Sequence, residues 1–411
     1  MTGKRLYLLS ILTALAISLA PGLSEAKVSV QCPGDVNGDA IPDQFIGNQP
    51  NPEFRPNVKC RHLTAGDGFI KMGDGSPMYT FGFKDVTGTP VDQVMSVGML
   101  GANFPAPTIA VDEGDEFYLT LTNVGMMMRP DLFDPHSVHW HGFPQAASIF
   151  DGVPEASVAI NMGSSLTYYY NVVEPGTFMY HCHVEATEHM QMGMLGNLYV
   201  RPKQDKLPNN TNLNGFIHNT GFKYAYNDGD GSTYYDVDYP IQLGSLDPVF
   251  HDASLNIQPL PFTLMKDKYA VINGRGYPDT VNPNSLVPPA ENNGQNSQNV
   301  SSLITAARGQ KILLRLSNLS VTRFYTIATT GLPMKMVGLN AKHLKGSAGQ
   351  NLYYNTGSIT LGGGESADVI IDTANLQPGS YFLYTTNLNY LNNNEEDFGG
   401  MMTEIIINPA A

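Results

Sequence analysis

Cysteine, tryptophan and basic residues are scarce in this chain of 411 residues, which has three Cys, one Trp and only 23 Lys and Arg against 37 Asp and Glu. The resulting net charge of −14 repels nucleic acid and anionic lipid, so it argues against a nucleic-acid-binding protein. Long hydrophobic runs are also absent. The apolar run at residues 6–20 is shorter than the ~20 residues that a transmembrane helix needs.

The N-terminus has the pattern of a secretory signal peptide. Lys4 and Arg5 precede the apolar run, and the small-residue sequence Ser24-Glu25-Ala26 follows it. We therefore predict that residues 1–26 are a signal peptide and that the mature protein is secreted or periplasmic, with no membrane span after cleavage. In an oxidising compartment Cys32 and Cys60 form an even pair, which predicts a disulfide within the N-terminal extension at residues 27–69.

That extension also contains regularly spaced oxygen side chains. They occupy positions one, three, five and nine of a run that resembles the start of a calcium loop. The final bidentate Glu of an EF-hand is missing, so a solvated turn is the alternative interpretation. The four residues are Asp35, Asn37, Asp39 and Asp43.

Six of the ten histidines lie in two short segments, at residues 136–141 and 181–189. The second segment also contains Cys182 and is followed by Met194. A cysteine, two histidines and a weak axial methionine form the trigonal site of blue copper. Because neighbouring residues of a strand point to opposite faces, Cys182 and its two flanking histidines can serve two different sites.

These motifs resemble those of the multicopper oxidases of the laccase superfamily, which are built of cupredoxin domains. The family pattern is a His, then His-x-His-Gly, later His-Cys-His, and finally a further His and a Met. The resemblance implies copper as cofactor, in type 1 and type 2/3 sites. Its type 1 ligands would be His136, Cys182, His189 and Met194, its type 2 ligand His139, and its type 3 ligands His141, His181 and His183.

One spacing departs from the family pattern. His189 lies seven positions after Cys182, where five positions are usual. The blue-copper loop is therefore longer, and Met192 becomes a rival of Met194 as axial ligand.

Short runs rich in Val, Ile, Tyr, Phe and Thr, separated by Gly, Pro and Asn, predict an all-β protein. With the resemblance, this predicts two cupredoxin-like Greek-key β-sandwich domains after the N-terminal extension. We place a copper-binding domain at residues 70–203 and a second domain at residues 210–411. The runs at 117–123 and 311–318 look like one strand used twice.

The internal repeat predicts that the second domain is free of copper. Aligning residues 135–144 with 324–333 puts Tyr325, Ala328 and Thr330 opposite the three histidines of the first segment. Thr385, Thr386 and Asn387 stand opposite His-Cys-His, allowing a shift of one residue. None of these residues replaces imidazole or thiolate at copper.

The chain has too few paired histidines for a complete oxygen-reducing copper cluster. The family's trinuclear cluster uses eight, whereas His139, His141, His181 and His183 are four and the histidines outside the two segments are unpaired. In one alternative, another subunit of a homo-oligomer such as a trimer supplies the missing ligands. In the second, the protein is built like copper nitrite reductase, with His251 or His343 as the donated ligand. In the third, only the blue-copper site exists. The acidic proton donor of nitrite reductase is absent, since His139 stands in its place.

We therefore predict a copper-dependent oxidoreductase whose four paired histidines are catalytic. It would oxidise a reductant by single electrons and reduce O2 to water. The reductant is a phenol-like compound, a metal ion or an electron donor protein. The alternatives are a nitrite reductase-like enzyme and a non-enzymatic blue-copper carrier or copper-handling protein.

Overall fold

The computed structural model describes residues 28–144, 146–256 and 259–410. The predicted signal peptide lies outside these residues. The regular secondary structure of the described chain is mostly β-strand, as predicted, and it forms two sandwiches. No helix in the described part is long and apolar enough to cross a membrane. Its three α-helices are α1 (Val94–Gly98), α2 (Ala186–Gln191) and α3 (Pro248–Asn256).

The first sandwich consists of two four-stranded sheets, with strand orders β2-β1-β4-β6 and β3-β8-β7-β5. The pairs β1–β4 and β3–β8 are parallel and the other pairs are antiparallel, because the chain crosses between the sheets. The strands are β1 (Val58–Lys71), β2 (Pro77–Asp85), β3 (Ala106–Asp112), β4 (Glu116–Gly125), β5 (His139–His141), β6 (Ser165–Asn171), β7 (Gly176–His181) and β8 (Leu195–Arg201).

The N-terminal extension is joined to this sandwich. Its predicted disulfide is confirmed, since Cys32 and Cys60 are bonded with Sγ atoms 2.09 Å apart. Cys60 lies in β1, which pairs with β2 and β4. The last residues of the predicted extension therefore form part of the first sandwich, and β1 runs across the predicted boundary at residue 70.

The run that resembles a calcium loop forms a compact turn held by its own side chains. The Asp35 carboxylate accepts hydrogen bonds from the backbone N–H groups of Asn37, Gly38 and Ala40 at 2.7–3.1 Å. Asp43 accepts one from Val36 at 2.9 Å. This geometry is that of a self-satisfied Asx turn, and calcium at Asp35, Asn37, Asp39 and Asp43 stays a prediction.

The second sandwich repeats the first with longer sheets. The strand orders are β10-β9-β12-β16-β14, extended at Lys342–His343 and Tyr354–Thr356, and β11-β18-β17-β13-β15. Two short hairpins, at 211–218 and 223–235, precede it. The strands are β9 (Val237–Leu246), β10 (Tyr269–Ile272), β11 (Ile304–Ala307), β12 (Lys311–Asn318), β13 (Tyr325–Thr329), β14 (Met334–Leu339), β15 (Ser358–Leu361), β16 (Glu365–Asp372), β17 (Gly379–Thr385) and β18 (Met402–Asn408).

The strand pairing confirms the internal repeat. The runs at 117–123 and 311–318 are β4 and β12, and each pairs with one parallel and one antiparallel neighbour. The turns that precede β6 and β16 are also equivalent. Gly163 N–H donates to the Asn123 carbonyl and Gly364 N–H to the Asn318 carbonyl, both at 2.8 Å.

The two sandwiches share a buried interface. Met179 of β7 packs in one apolar cluster with Val271 and Leu319 of the second sandwich. Thr177, also on β7, donates to the Asp368 carboxylate at 2.6 Å, and its carbonyl accepts a hydrogen bond from Ser366 Oγ at 2.7 Å. These contacts fix the second sandwich against the strand that leads into the His-Cys-His motif.

Candidate metal centres

The first group of candidate ligands lies in the core of the first sandwich. His136, Cys182 and His189 offer ligand atoms that lie within 4.8 Å of one another. Cys182 Sγ is 3.2 Å from His189 Nδ1 and 3.9 Å from His136 Nδ1. All three side chains are fully buried, so this is a closed site with little access for water.

Backbone groups hold the thiol in place. Ser137 N–H lies 3.4 Å from Cys182 Sγ, and Cys182 N–H donates to the Met194 carbonyl at 3.1 Å. Burial raises the pKa of the thiol to about 11 and lowers that of His189 to about 3. The metal-free protein therefore holds a protonated thiol beside neutral imidazoles, and a bound metal would displace the thiol proton.

Helix α2 accounts for the unusual spacing between Cys182 and His189. The additional residues form a turn of helix that carries His189, whose N–H donates to the Glu185 carbonyl at 3.1 Å. Met194 N–H then donates to the His189 carbonyl at 2.8 Å. Met192 and Met194 are both fully buried in the same core cluster, and the axial role of Met194 stays a prediction.

Helix α3 of the second domain region packs against the end of α2, the helix that carries His189. His251 on α3 is fully buried, and its ring nitrogens face the carbonyl oxygens of Tyr79 and Gln191. Gln191 ends α2, so His251 connects α3 to the helix that carries His189. His136 and His189 are both 0% exposed, so a reductant cannot touch either imidazole.

The second group consists of the four histidines of the two His-x-His units. Paired strands β5 and β7 place His139 opposite His181. His141 Nδ1 lies 3.3 Å from His181 Nε2, and His139, His141 and His181 offer ligand atoms within 4.8 Å of one another. The ring centroid of His183 is 5.1 Å from that of His139. The structure thus brings together all four histidines that the sequence predicts to be catalytic.

Two of these imidazoles are held by carbonyl oxygens. His139 Nδ1 lies 2.6 Å from the Asp151 carbonyl, and His181 Nδ1 lies 2.8 Å from the Cys182 carbonyl. Burial lowers the pKa of His139 and His141 and lowers that of His181 to about 3. The three rings are neutral at neutral pH, as metal ligands must be.

The four histidines form one wall of a cavity of about 350 Å³. The opposite wall belongs to the second domain and supplies no imidazole, thiol or carboxylate among the described lining residues. That wall consists of Leu319, Ser320, Val321, Gly363 and Gly364. The predicted absence of copper ligands from the second domain agrees with this lining.

The remaining histidines lie away from this cavity. His251 has both nitrogens occupied beside the blue-copper group. His343 stacks on Tyr226 with ring centroids 4.9 Å apart and bonds to the Tyr353 hydroxyl. His62 bonds to Thr122, and His218 to Tyr224. Within this chain neither His251 nor His343 reaches the four histidines.

Three functional contacts escaped the sequence interpretation. Asp151 orients His139, Ser137 contacts the thiol, and Gly364 lies against His141. Ser137 lies within a motif, so its closeness could have been expected. Asp151 and Gly364 are brought in by loops and by domain packing, and no spacing in the sequence signals them.

The donor sets fit copper. One thiol and imidazoles in a buried trigonal group are the soft and borderline ligands that copper prefers. The Nε2 atoms of His136 and His189 have no hydrogen-bond partner among the described residues, while their Nδ1 atoms turn to the thiol. Such a cluster has no evident structural purpose without a metal.

Comparison with known proteins agrees with this chemistry. Multicopper oxidase family models match residues 83–205 and 258–409, together more than half of the chain. Laccase 1 of Metarhizium acridum is 32% identical over 121 residues, which are 29% of this chain and 18% of that protein. The matched part thus spans less than a fifth of such curated relatives.

Two solved structures share the fold. The blue copper oxidase from Nitrosomonas europaea superposes with a TM-score of 0.59 at 24% identity, covering 84% of this chain and 85% of its own. The copper nitrite reductase from the same organism has a TM-score of 0.55 at 18% identity, with coverages of 85% and 93%. With family matches in both sandwiches and the ligand motifs assembled in the first, this chain belongs to the multicopper oxidase superfamily.

Proposed function

We propose that the protein is a secreted or periplasmic copper oxidoreductase that takes single electrons from a reductant at the Cys182 group and reduces O2 to water at the four histidines. The observation that supports this proposal is that consecutive residues of one backbone segment belong to the two different ligand groups. Cys182 points to His189, while the preceding residue, His181, points to His141. Bound copper would supply the reversible one-electron chemistry at both groups.

The surrounding residues have a different role at each of the two ligand groups. Burial of Cys182 keeps water from the thiolate, and the hydrogen bonds around it hold its geometry during electron transfer. At the other group, His139 and His181 are oriented by carbonyl oxygens. The cavity beside them is large enough for a small molecule such as O2.

The reductant acts from the protein surface. Because His136 and His189 are 0% exposed, a phenol-like compound, a metal ion or an electron donor protein must deliver its electron through the covering residues. The net charge of −14 favours a cationic donor.

Completion of the oxygen site by another copy of the chain is part of this proposal. Four imidazoles are half of the family's set, so a closed homo-oligomer, most simply a trimer, would bring further ligands. The nitrite reductase alternative finds less support, because both nitrogens of His251 are already occupied within the chain.

The test is oxygen uptake by copper-loaded protein, measured with metal content and sedimentation. The proposal expects more than one copper per chain and O2 consumption with a one-electron reductant. His141→Ala should abolish the uptake and keep the visible band of the blue site. If the protein binds one copper per chain and consumes no O2, the oxidase function is wrong and the protein is an electron carrier.

A further inference from the structure

Two imidazoles of the four-histidine group are held through the nitrogen that points away from the group. For His139 and His181 this outer nitrogen is Nδ1, and its partner is a carbonyl oxygen of the first domain. A partner on one ring nitrogen sets the orientation of the ring and leaves the other nitrogen for a metal.

His141 differs, because its outer partner belongs to the second domain. Its Nδ1 faces His181 Nε2 at 3.3 Å, so Nε2 is the outer nitrogen. There the backbone of Gly364 in the second domain lies against the ring. A Cβ atom placed on Gly364 would lie 2.8 Å from His141 Nε2 and 2.9 Å from Cε1. Any side chain at this position would push against the ring.

The turn that carries Gly364 is held firmly. Its N–H donates to the Asn318 carbonyl at 2.8 Å, and its φ of +86° favours glycine. Two residues later, Ser366 Oγ donates to the Thr177 carbonyl of β7 at 2.7 Å. The second domain thus places a rigid backbone against a ligand ring of the first.

We propose that Gly364 is a positioning residue for His141. The second domain supplies no copper ligand, but through this backbone contact it orients one ligand imidazole. This inference rests on the proposed function, because the orientation of His141 matters for copper only if the four histidines bind it.

The test compares Gly364→Ala with Gly331→Ala in the full-length protein. Gly331 has a similar φ of +78° in the same domain, but no atom lies within 4 Å of a Cβ placed there, so it controls for backbone strain. Cu²⁺ affinity is measured by competition with a chelator, and the copper environment by electron paramagnetic resonance and the visible band. His141→Ala serves as the reference for loss of the ligand.

Gly364→Ala should bind Cu²⁺ at the four histidines about tenfold more weakly and with an altered resonance spectrum, because the added methyl group would push the His141 ring out of its orientation. Its visible blue band should match the wild type, and Gly331→Ala should match the wild type in Cu²⁺ affinity and in both spectra, although it carries similar backbone strain. Wild-type affinity and spectrum in Gly364→Ala, or equal losses in the two glycine variants, would overturn the inference.

Two further variants separate the outcomes. If His141→Ala itself changes neither copper content nor spectrum, the four histidines bind no copper and the proposed function fails with the inference. If Gly364→Ala does not fold, Ser366→Ala removes the bond that seats the turn on β7. It should shift the same resonance signal in the same direction, and an unchanged signal would contradict the role of Gly364.

Discussion

Cys182 and His181 are consecutive residues that serve opposite groups of candidate ligands. Cys182 Sγ lies 3.2 Å from His189 Nδ1, and His181 Nε2 lies 3.3 Å from His141 Nδ1. His181 Nδ1 also lies 2.8 Å from the Cys182 carbonyl, so the ring is tied to the peptide that joins the two groups. An electron would need only the bonds of these two residues to pass between them.

Replacing the thiol should separate the two groups functionally. Cys182→Ser removes the thiol that faces both His136 and His189, so the intense visible absorption of a thiolate–copper site should disappear. Copper at the four histidines should remain, as metal analysis can show. A visible band that persists in this variant would rule out Cys182 as the ligand.

The second domain should retain no copper. The cavity wall that it forms carries no imidazole, thiol or carboxylate among its described residues. A full-length variant with Cys182→Ser and with all six histidines of the two ligand groups replaced by Ala should therefore be metal-free after copper incubation and desalting, measured by metal analysis. Stoichiometric retained copper would contradict the ligand-free interpretation of the repeat.

The stability of the copper-free protein should fall in mild acid. Burial lowers the pKa of His62 from 6.5 to about 4, so between these values the unfolded state binds a proton that the native state does not. The contribution of His62 to the free energy of unfolding is complete above pH 6.5 and is lost as the pH falls through about 4; it is on the order of 3 kcal/mol.

Denaturant unfolding across this pH range checks the prediction. His62→Gln retains a side-chain amide that can bond to Thr122, whose hydroxyl now lies 2.8 Å from His62 Nε2. Its free energy of unfolding should depend less steeply on pH than that of the wild type. Identical slopes would show that His62 is not the group responsible.

The disulfide should stabilise the first domain. It joins residues 28 positions apart, and loop-closure entropy predicts a contribution of about 3 to 4 kcal/mol. The paired substitutions Cys32→Ser and Cys60→Ser should lower the thermal midpoint while the visible band of the copper-loaded protein stays unchanged. Loss of the band in the folded variant would mean that the extension shapes the blue site.

The sequence alone predicts the arrangement of those ligands that lie close together along the chain. Strand alternation predicts that His181 and Cys182 face apart, and the repeat predicts the equivalent strands β4 and β12. The boundary between the N-terminal extension and the first domain, placed at residue 70, was harder to predict. The strand β1 crosses it without a break, but the first half of β1 contains Cys60 and was therefore assigned to the extension.

Contacts between distant elements could not be derived from the sequence. The sequence offered His251 as a candidate copper ligand, but tertiary packing places its ring between the Tyr79 and Gln191 carbonyls. The local sequence around Gly364 predicts only a turn. Gly364 lies beside His141 because the two domains pack against each other.

The most direct test of electron transfer between the two groups is a single reoxidation measurement. Copper-loaded protein is reduced without oxygen and mixed with O2 in a stopped-flow instrument while the visible blue band is recorded. The account predicts that the band returns rapidly in the wild type, and at least tenfold more slowly in His141→Ala, since the electron then lacks its acceptor site. Equal rates in the two proteins would contradict it, because the blue site would then react with O2 without the four histidines.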